Sequence, residues 1–464
     1  MNIVGGTENY MLKNRISKLV SHKKLKSRSG RVFVNLSASV VFKMVNMVIS
    51  FFMVPITLNY LDKTRYGLWA AISSLLAWFF IFDIGIGNGL RNKYTELKAK
   101  GRIEEAKAYV STAYFIFGML SIVFVTVFLL LNRLVDWAAV LNAPEIYRAE
   151  LSQTVSITML MLCMVFVFKL INTILAADFK NSISDGLTVI SHVISFLGII
   201  YLSKFTTPSI LKYAVLYSGA NLGVLIVASF ILYSGHYKSI APSLKSIDMS
   251  LAKELVSVGL RFFFIQIAAM ALFQSTSFII SAFVNPVAVT DYNITQKYFS
   301  MVAMFFYMMS NPLWTGYGEA YHKGEYQWIK TTFSRLMKLW VFIVLALVIM
   351  LLMQNFVFQL WLRGRIEVDY ILSILFIVNY ALQMINAIYS PLINAAAKLK
   401  LSLIILPLTV VLFLGLSYVF TKILGLGAKG VLIALILAQG IPAAVLSPLQ
   451  GYKILSGAKG IWNK

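Results

Sequence analysis

Five basic side chains fall inside stretches that are otherwise apolar: Lys43, Lys169, Arg261, Lys297 and Lys338. A lysine or arginine at a bilayer centre costs on the order of 2.5–3.5 kcal/mol even on lenient insertion scales. Water, a carboxylate or a ligand must offset that cost. Lys43 is the deepest, because it follows Arg31 by twelve residues. That is ~18 Å of helix at 1.5 Å per residue, against ~15 Å for half a hydrocarbon core. Its helix is polar on one face only, with Asn35, Ser39, Lys43, Asn46 and Ser50 spaced four, four, three and four apart. Asn293, Lys297, Ser300, Tyr307 and Asn311 repeat the pattern, and Thr154, Thr158, Lys169 and Asn172 do so more loosely. Around Arg261 the polar face is Gln266, Gln274, Ser277 and Ser281, with the arginine turned away from it. The competing account is that long basic side chains reach the headgroups and do nothing else. It is strongest for Lys338, near a helix end, and weakest for Lys43. The nearest carboxylates, Asp83, Asp178 and Asp291, all fall toward helix ends. Cations without acidic partners fit an anion that arrives with the substrate. Lysine and arginine bind phosphate or diphosphate by charge and hydrogen bonds, so Lys43, Lys169, Lys297 and Arg261 are the candidate diphosphate ligands.

These side chains need a membrane scaffold, and the composition supplies one. Of 464 residues 59% are hydrophobic and 13% charged, with mean hydropathy +0.79. A soluble domain is nearer half apolar and a quarter charged. The net charge of +23 would suggest nucleic acid in a soluble protein, but long apolar runs exclude that class. One cysteine, Cys163, and four scattered histidines offer neither a disulfide framework nor a metal site, and no cofactor is expected. At ~20 apolar residues per crossing, twelve spans are predicted near 33–57, 66–88, 109–131, 152–174, 185–203, 213–234, 256–284, 291–313, 337–360, 370–391, 402–421 and 430–452. With both termini on one side, that side carries 26 Lys and Arg against 10 opposite, so both termini are predicted to be cytoplasmic. Residues 1–31 hold eight basic residues and no apolar core of the length a secretion signal needs. The longest outer loop, 132–151, is too short for a soluble catalytic domain, although Asp136, Glu145 and Glu150 cluster there. Inner loops 89–108, 235–255 and 314–336 are read as amphipathic helical connectors at anionic headgroups.

The chain also repeats itself. At a shift of 223 residues, seven of the twenty positions in 88–107 are identical in 311–330, among them Asn88/Asn311, Tyr94/Tyr317, Lys100/Lys323 and Gly101/Gly324. The predicted fold is therefore an all-α polytopic membrane protein of twelve helices, in two six-helix lobes related by a pseudo-two-fold axis along the membrane normal. The division is a basic N-terminal segment 1–32, an N-lobe 33–234, a linker 235–255, a C-lobe 256–452 and a tail 453–464. Two such lobes around a cavity are the architecture of an alternating-access transporter.

At Tyr66-Gly67-Leu68-Trp69, and again at Asp83-Ile84-Gly85-Ile86-Gly87-Asn88-Gly89-Leu90-Arg91-Asn92, the sequence resembles bacterial polysaccharide flippases of the O-antigen (Wzx) type. These belong to the multidrug/oligosaccharidyl-lipid/polysaccharide exporter superfamily. The resemblance implies an inner-membrane flippase that carries undecaprenyl-diphosphate-linked oligosaccharides to the periplasmic leaflet, coupled to a proton or sodium ion. It also implies contacts with membrane lipids and association with an O-antigen polymerase and a chain-length regulator. Three glycines at two-residue spacing would loosen the end of the second span. Asp83 could pair with Arg91, and Asn46, Asn88 and Asn311 would join them as gating or cavity polar groups. Drug exporters of the superfamily often carry an acidic residue in the first span, where this chain has Lys43; lipid II flippases usually have fourteen spans. The competing classes are a lipid II or other polyprenyl-diphosphate flippase, a multidrug exporter, and a membrane glycan polymerase using an outer-loop acid.

Overall fold

The computed structural model describes residues 28–79, 86–178, 180–253, 272, 275–310, 313–365, 369–396, 398 and 400–463. The regular structure in them is entirely helical, as backbone polar groups in lipid require. The helices are α1 (Arg28–Ala77), α2 (Ile86–Ala99), α3 (Ile103–Asn132), α4 (Trp137–Val140), α5 (Arg148–Phe168), α6 (Leu170–Ala177), α7 (Asn181–Phe205) and α8 (Ile210–Ser234) in the first half. The second half holds α9 (Thr276–Phe283), α10 (Pro286–Ser310), α11 (Leu313–His322), α12 (Tyr326–Leu362), α13 (Tyr370–Ala395), α14 (Lys400–Tyr418), α15 (Gly427–Leu435) and α16 (Ile441–Leu455). Nine helical runs among the described residues are long and apolar enough to cross a membrane. The chain is an all-α, multi-pass membrane protein.

The first two expected spans share one of those runs. The turn between them is reduced to Asp62, whose left-handed backbone (φ 68°) bends α1. Asp62 then accepts the Arg65 amide N–H at 3.0 Å and pairs with the Arg65 guanidinium, so one residue both turns the chain and caps the next helix. The short span expected at 185–203 is a full helix of 25 residues. Its extra turn brings Asp185 inside the span, where it accepts the Ser39 hydroxyl. The lysine-bearing face of α1 therefore does have a carboxylate beside it, contrary to the expectation of none. Linker 235–255 is not the expected amphipathic helix. Over its described residues, 235–253, it forms three short 3₁₀ turns held to α3, with Ser243 N–H on Ser111 Oγ at 3.1 Å and Asp248 N–H on Thr112 Oγ1 at 3.0 Å.

Buried apolar residues separate by chain half. One core runs from Met53 to Ile240 and includes Leu61, Leu68, Phe117 and Phe166. The other runs from Leu272 to Leu455 and also takes in Val54 and Leu58 of α1. The duplication is visible in backbone detail. α2 and α11 both end on a left-handed glycine, Gly101 (φ 73°) and Gly324 (φ 74°). Arg102 N–H bonds Leu97 O at 2.9 Å, and Glu325 N–H bonds Ala320 O at 2.8 Å, the same helix-terminating turn 223 residues apart. The buried tyrosines Tyr94 and Tyr317 occupy matching positions above these turns.

Polar contacts between the halves crowd at one end, the end the charge count assigns to the outside. Among the described residues, Asn142 Nδ2 donates to Val284 O (2.7 Å), Ser281 Oγ to Leu141 O (2.7 Å) and Thr290 Oγ1 to Lys63 O (2.6 Å). Arg365 donates to Asn59 Oδ1 (2.5 Å), Lys63 pairs with Asp291 (3.6 Å), and Trp361 Nε1 donates to Phe51 O (3.1 Å). The Trp361 and Phe51 rings also stack 3.9 Å apart. Gly67 presses so closely on α10 that a Cβ there would lie 1.7 Å from Pro286 O.

Candidate functional site

A cavity of about 520 Å³ lies between the two halves. The two arms of α1 bring Ser50, Met53 and Thr57 before the bend and Tyr66, Trp69, Ser73 and Ser74 after it. His192 comes from α7, Tyr213 and Tyr217 from α8, Thr276 and Ser277 from α9, and Tyr380 from α13. Helix α10 supplies Asn293, Gln296, Lys297 and Ser300, spaced so that the four share one helical face. Among its described lining residues the cavity has one cation, Lys297, and no carboxylate.

The cavity follows the duplication. Ala70, Ser73 and Ser74 line one wall, and their counterparts at the 223-residue shift, Asn293, Gln296 and Lys297, line the other. Gly67 and Thr290, also counterparts, meet at the closed end, where a Cβ on Gly67 would be 2.9 Å from Thr290 Oγ1. The approximate two-fold axis therefore passes between α10 and the second arm of α1. Chemistry breaks the symmetry. The N-lobe wall is aromatic: Trp69 meets Tyr213 edge-on at 5.3 Å, Tyr213 stacks with Tyr217 at 6.0 Å, and Tyr217 stacks with His192 at 5.8 Å. His192 Nε2 lies 3.2 Å from Tyr217 Oη, and its Nδ1 contacts Asn46 Oδ1, which fixes the imidazole at the cavity edge. The C-lobe wall is amide, hydroxyl and ammonium: Asn293 Nδ2 donates to Ser277 Oγ at 3.0 Å, and no described residue forms an ion pair with Lys297.

The expected site residues divide accordingly. Lys297 lies in the cavity, and Asn46 reaches it through His192. Lys43 is exposed on α1, one turn beyond Ser39, and is not among the lining residues. Lys169 occupies the break between α5 and α6, its Nζ 4.8 Å from the Phe166 ring centroid, outside the cavity lining. Arg91 is exposed on α2. Asn88 belongs to α2 by its backbone, while its side chain, Asp83, Arg261 and Asn311 lie outside the described residues. Of the three glycines, Gly87 and Gly89 are buried within α2 rather than loosening a span end. Sequence reasoning missed Trp69, Tyr213, Tyr217, His192 and Gln296. Two signals were available: tyrosines four residues apart on one helix, and a histidine that interrupts an apolar span.

The outer-loop acids serve structure. Asp136 caps α4 through the Ala138 and Ala139 amides and pairs with Arg148 at 2.5 Å, which also holds Glu145 at 3.2 Å. Glu150 accepts from Ser209 Oγ (2.6 Å) and from the Leu211 amide (3.3 Å). Among the described residues no His, Cys, Asp and Glu cluster is arranged to hold a metal ion.

Comparison with known proteins places this architecture. A family model described as "Polysaccharide biosynthesis protein" matches residues 32–313. A "Putative O-antigen transporter" of Salmonella typhi is 21% identical over 362 residues, covering 76% of this chain and 81% of the relative. Among solved structures, an inward-facing multidrug resistance MATE family transporter of the MOP superfamily superposes with TM-score 0.72 at 15% identity, over 92% of this chain and 98% of that one. The lipid II flippase MurJ, in an inward closed conformation, gives TM-score 0.70 at 12% identity over 90% of both chains.

Proposed function

The chain belongs to the polysaccharide biosynthesis protein family, and from that premise we propose that it is a transporter that flips a lipid-linked oligosaccharide across the bacterial inner membrane. The O-antigen repeat unit as substrate comes from the putative O-antigen transporters it is similar to, and the undecaprenyl-diphosphate carrier from the sequence resemblance at residues 66–69 and 83–92. The observation that carries it is the cavity, with an ammonium that no described carboxylate pairs with on one wall and a run of aromatic rings on the other. Lys297 would take the diphosphate by charge and hydrogen bonds. The Trp69–Tyr213–Tyr217 surface would take sugar rings, whose C–H faces pack on aromatics while their hydroxyls find Asn293, Gln296 and Ser300. Lys43, exposed below the cavity, would meet the diphosphate on entry.

On this reading the basic side faces the cytoplasm, both termini lie there, and the tied end faces the periplasm. The form described is then inward-facing, with the lobes sealed outside. A drug exporter taking cations is disfavoured by Lys297 in a cavity lined by no described carboxylate, and a polymerase by outer-loop acids committed to capping and pairing. Coupling to a proton or sodium ion, and association with a polymerase and chain-length regulator, complete the proposal.

The test is complementation of a flippase-deficient strain of defined O-antigen type, scored by surface glycan. Wild type restores the glycan, and Lys297→Gln at equal protein level does not. Full surface glycan with Lys297→Gln would overturn the assignment of the diphosphate to this cavity.

A further inference from the structure

Helix α1 separates two spaces. Its Ser50, Met53 and Thr57 face the central cavity, while Phe52, Pro55, Ile56 and Asn59 face a second cavity of about 430 Å³ on its far side. That second space is a groove on the seam between the lobes, closed by α7 of one half and the end of α12 of the other. Eight of its twelve lining residues are apolar, with Asn59 and Ser203 between them, and its flanks open outward, Phe52 being 54% and Leu360 76% exposed. Along α1 the lining runs from Phe52 to Asn59, seven residues or ~10 Å of helix, which is about two-thirds of a ~15 Å leaflet.

Two arginines stand at its rim. Arg363 ends α12 with a left-handed backbone (φ 52°), and Gly364 continues the turn (φ 70°). An arginine in that conformation is strained where glycine would not be, so its side chain rather than its backbone suits the position. Arg365 rests one guanidinium nitrogen on Asn59 Oδ1. Neither arginine forms an ion pair with a described carboxylate, and the adjacent Asp369 is taken by Lys429 at 3.0 Å and by the cap of α13.

Resting on the function proposed above, we propose that this groove is the outer-leaflet site of the polyprenyl-diphosphate carrier, with isoprenoid chain along the apolar walls and diphosphate on Arg363 and Arg365. Two guanidinium forks match two linked phosphates, whereas a bilayer phosphodiester has one. A headgroup leaving the cavity around α1 arrives at this rim. Because the groove is built from both lobes, a lipid bound there also favours the outer-closed state.

The test uses the full chain in phosphatidylcholine nanodiscs with a photoreactive undecaprenyl diphosphate, mapping cross-links by peptide. Expected are saturable cross-links to the end of α12 or to residues 52–59, persisting in Lys297→Gln. They should weaken by about tenfold or more in R363Q/R365Q. Leu360→Trp, which fills the groove without touching its charge, should weaken them as well. Cross-links confined to the central cavity overturn the groove and leave the proposed function standing. Equal displacement by phosphatidylglycerol overturns the assignment to a diphosphate carrier. No saturable cross-linking anywhere overturns both.

Discussion

At Gly67 the backbone of α1 packs directly against α10 of the other lobe, and adding one methyl group there tests whether the lobes rock. A Cβ at this position would lie 1.7 Å from Pro286 O, 2.6 Å from Pro286 C and 2.9 Å from Thr290 Oγ1. Two of these atoms are backbone, so no rotamer change relieves the clash. To reach 3.0 Å the second arm of α1 must retreat from α10 by about 1.3 Å. Overpacking of this kind costs typically ~1–3 kcal/mol. If only the outer-closed state bears that cost, Gly67→Ala moves the balance between states by about five- to 150-fold toward outward opening. The assay is labelling of a cysteine at Ser50, in the cavity, by a membrane-impermeant thiol reagent added from the periplasmic side; native Cys163 is buried. Outside labelling should accelerate by the same factor in Gly67→Ala, and stay unchanged in Gly118→Ala, where a Cβ meets nothing within 4 Å. Unchanged labelling in Gly67→Ala, with the protein folded, would mean that this contact persists throughout the cycle, and the alternating-access argument built on it fails.

Trp361→Ala removes the ring stack on Phe51 and a hydrogen bond at the same seam, and should raise outside labelling of the Ser50 cysteine less than Gly67→Ala does. The charge swap Ser74→Lys with Lys297→Ser keeps one cavity cation but moves it to the aromatic wall; surface glycan should fall severalfold, and full complementation would show that position does not matter. Asp369→Ala should cost about 1 kcal/mol of thermal stability in detergent through loss of the α13 cap. Burial opposes the charged form of Asp369, but the Leu372 amide and Lys429 outweigh it and hold the carboxyl below its ordinary range. Its stabilisation is thus present above that range and lost as pH falls through the depressed value, so wild type but not the variant should show this acid-dependent loss in melting experiments. Finally, Asp136→Asn should leave complementation intact, and its abolition would revive the catalytic reading of the outer loop.

The scaffold was legible because its signals are one-dimensional. Apolar runs of membrane length located helices, and the identities around Gly101 and Gly324 anticipated two turns that match hydrogen bond for hydrogen bond. Asn293, Lys297 and Ser300 of the predicted stripe share the cavity lining because helical spacing fixes which residues share a face, and α10 is regular through that region. Depth arithmetic did less well. Lys43 is deep by length but exposed rather than lining the cavity, since depth along a helix says nothing about which neighbours surround it. The aromatic wall was hidden for a related reason: Trp69, Tyr213 and Tyr217 come from distant segments, and each alone reads as ordinary span packing. Asp185 was missed because the span was drawn one turn too short.

The lysine at 297 faces a serine at its duplicated position, 74. A cavity with true two-fold symmetry would accept a ligand in two equivalent poses, one the half-turn image of the other. One ammonium removes that degeneracy. An elongated substrate with an anionic terminus must lie across the axis with that terminus toward the C-lobe, and its opposite end is delivered to the aromatic surface. A fused pair of near-copies has thereby gained a sense of direction perpendicular to transport, and substrates that lack a charged end would have no reason to prefer either pose.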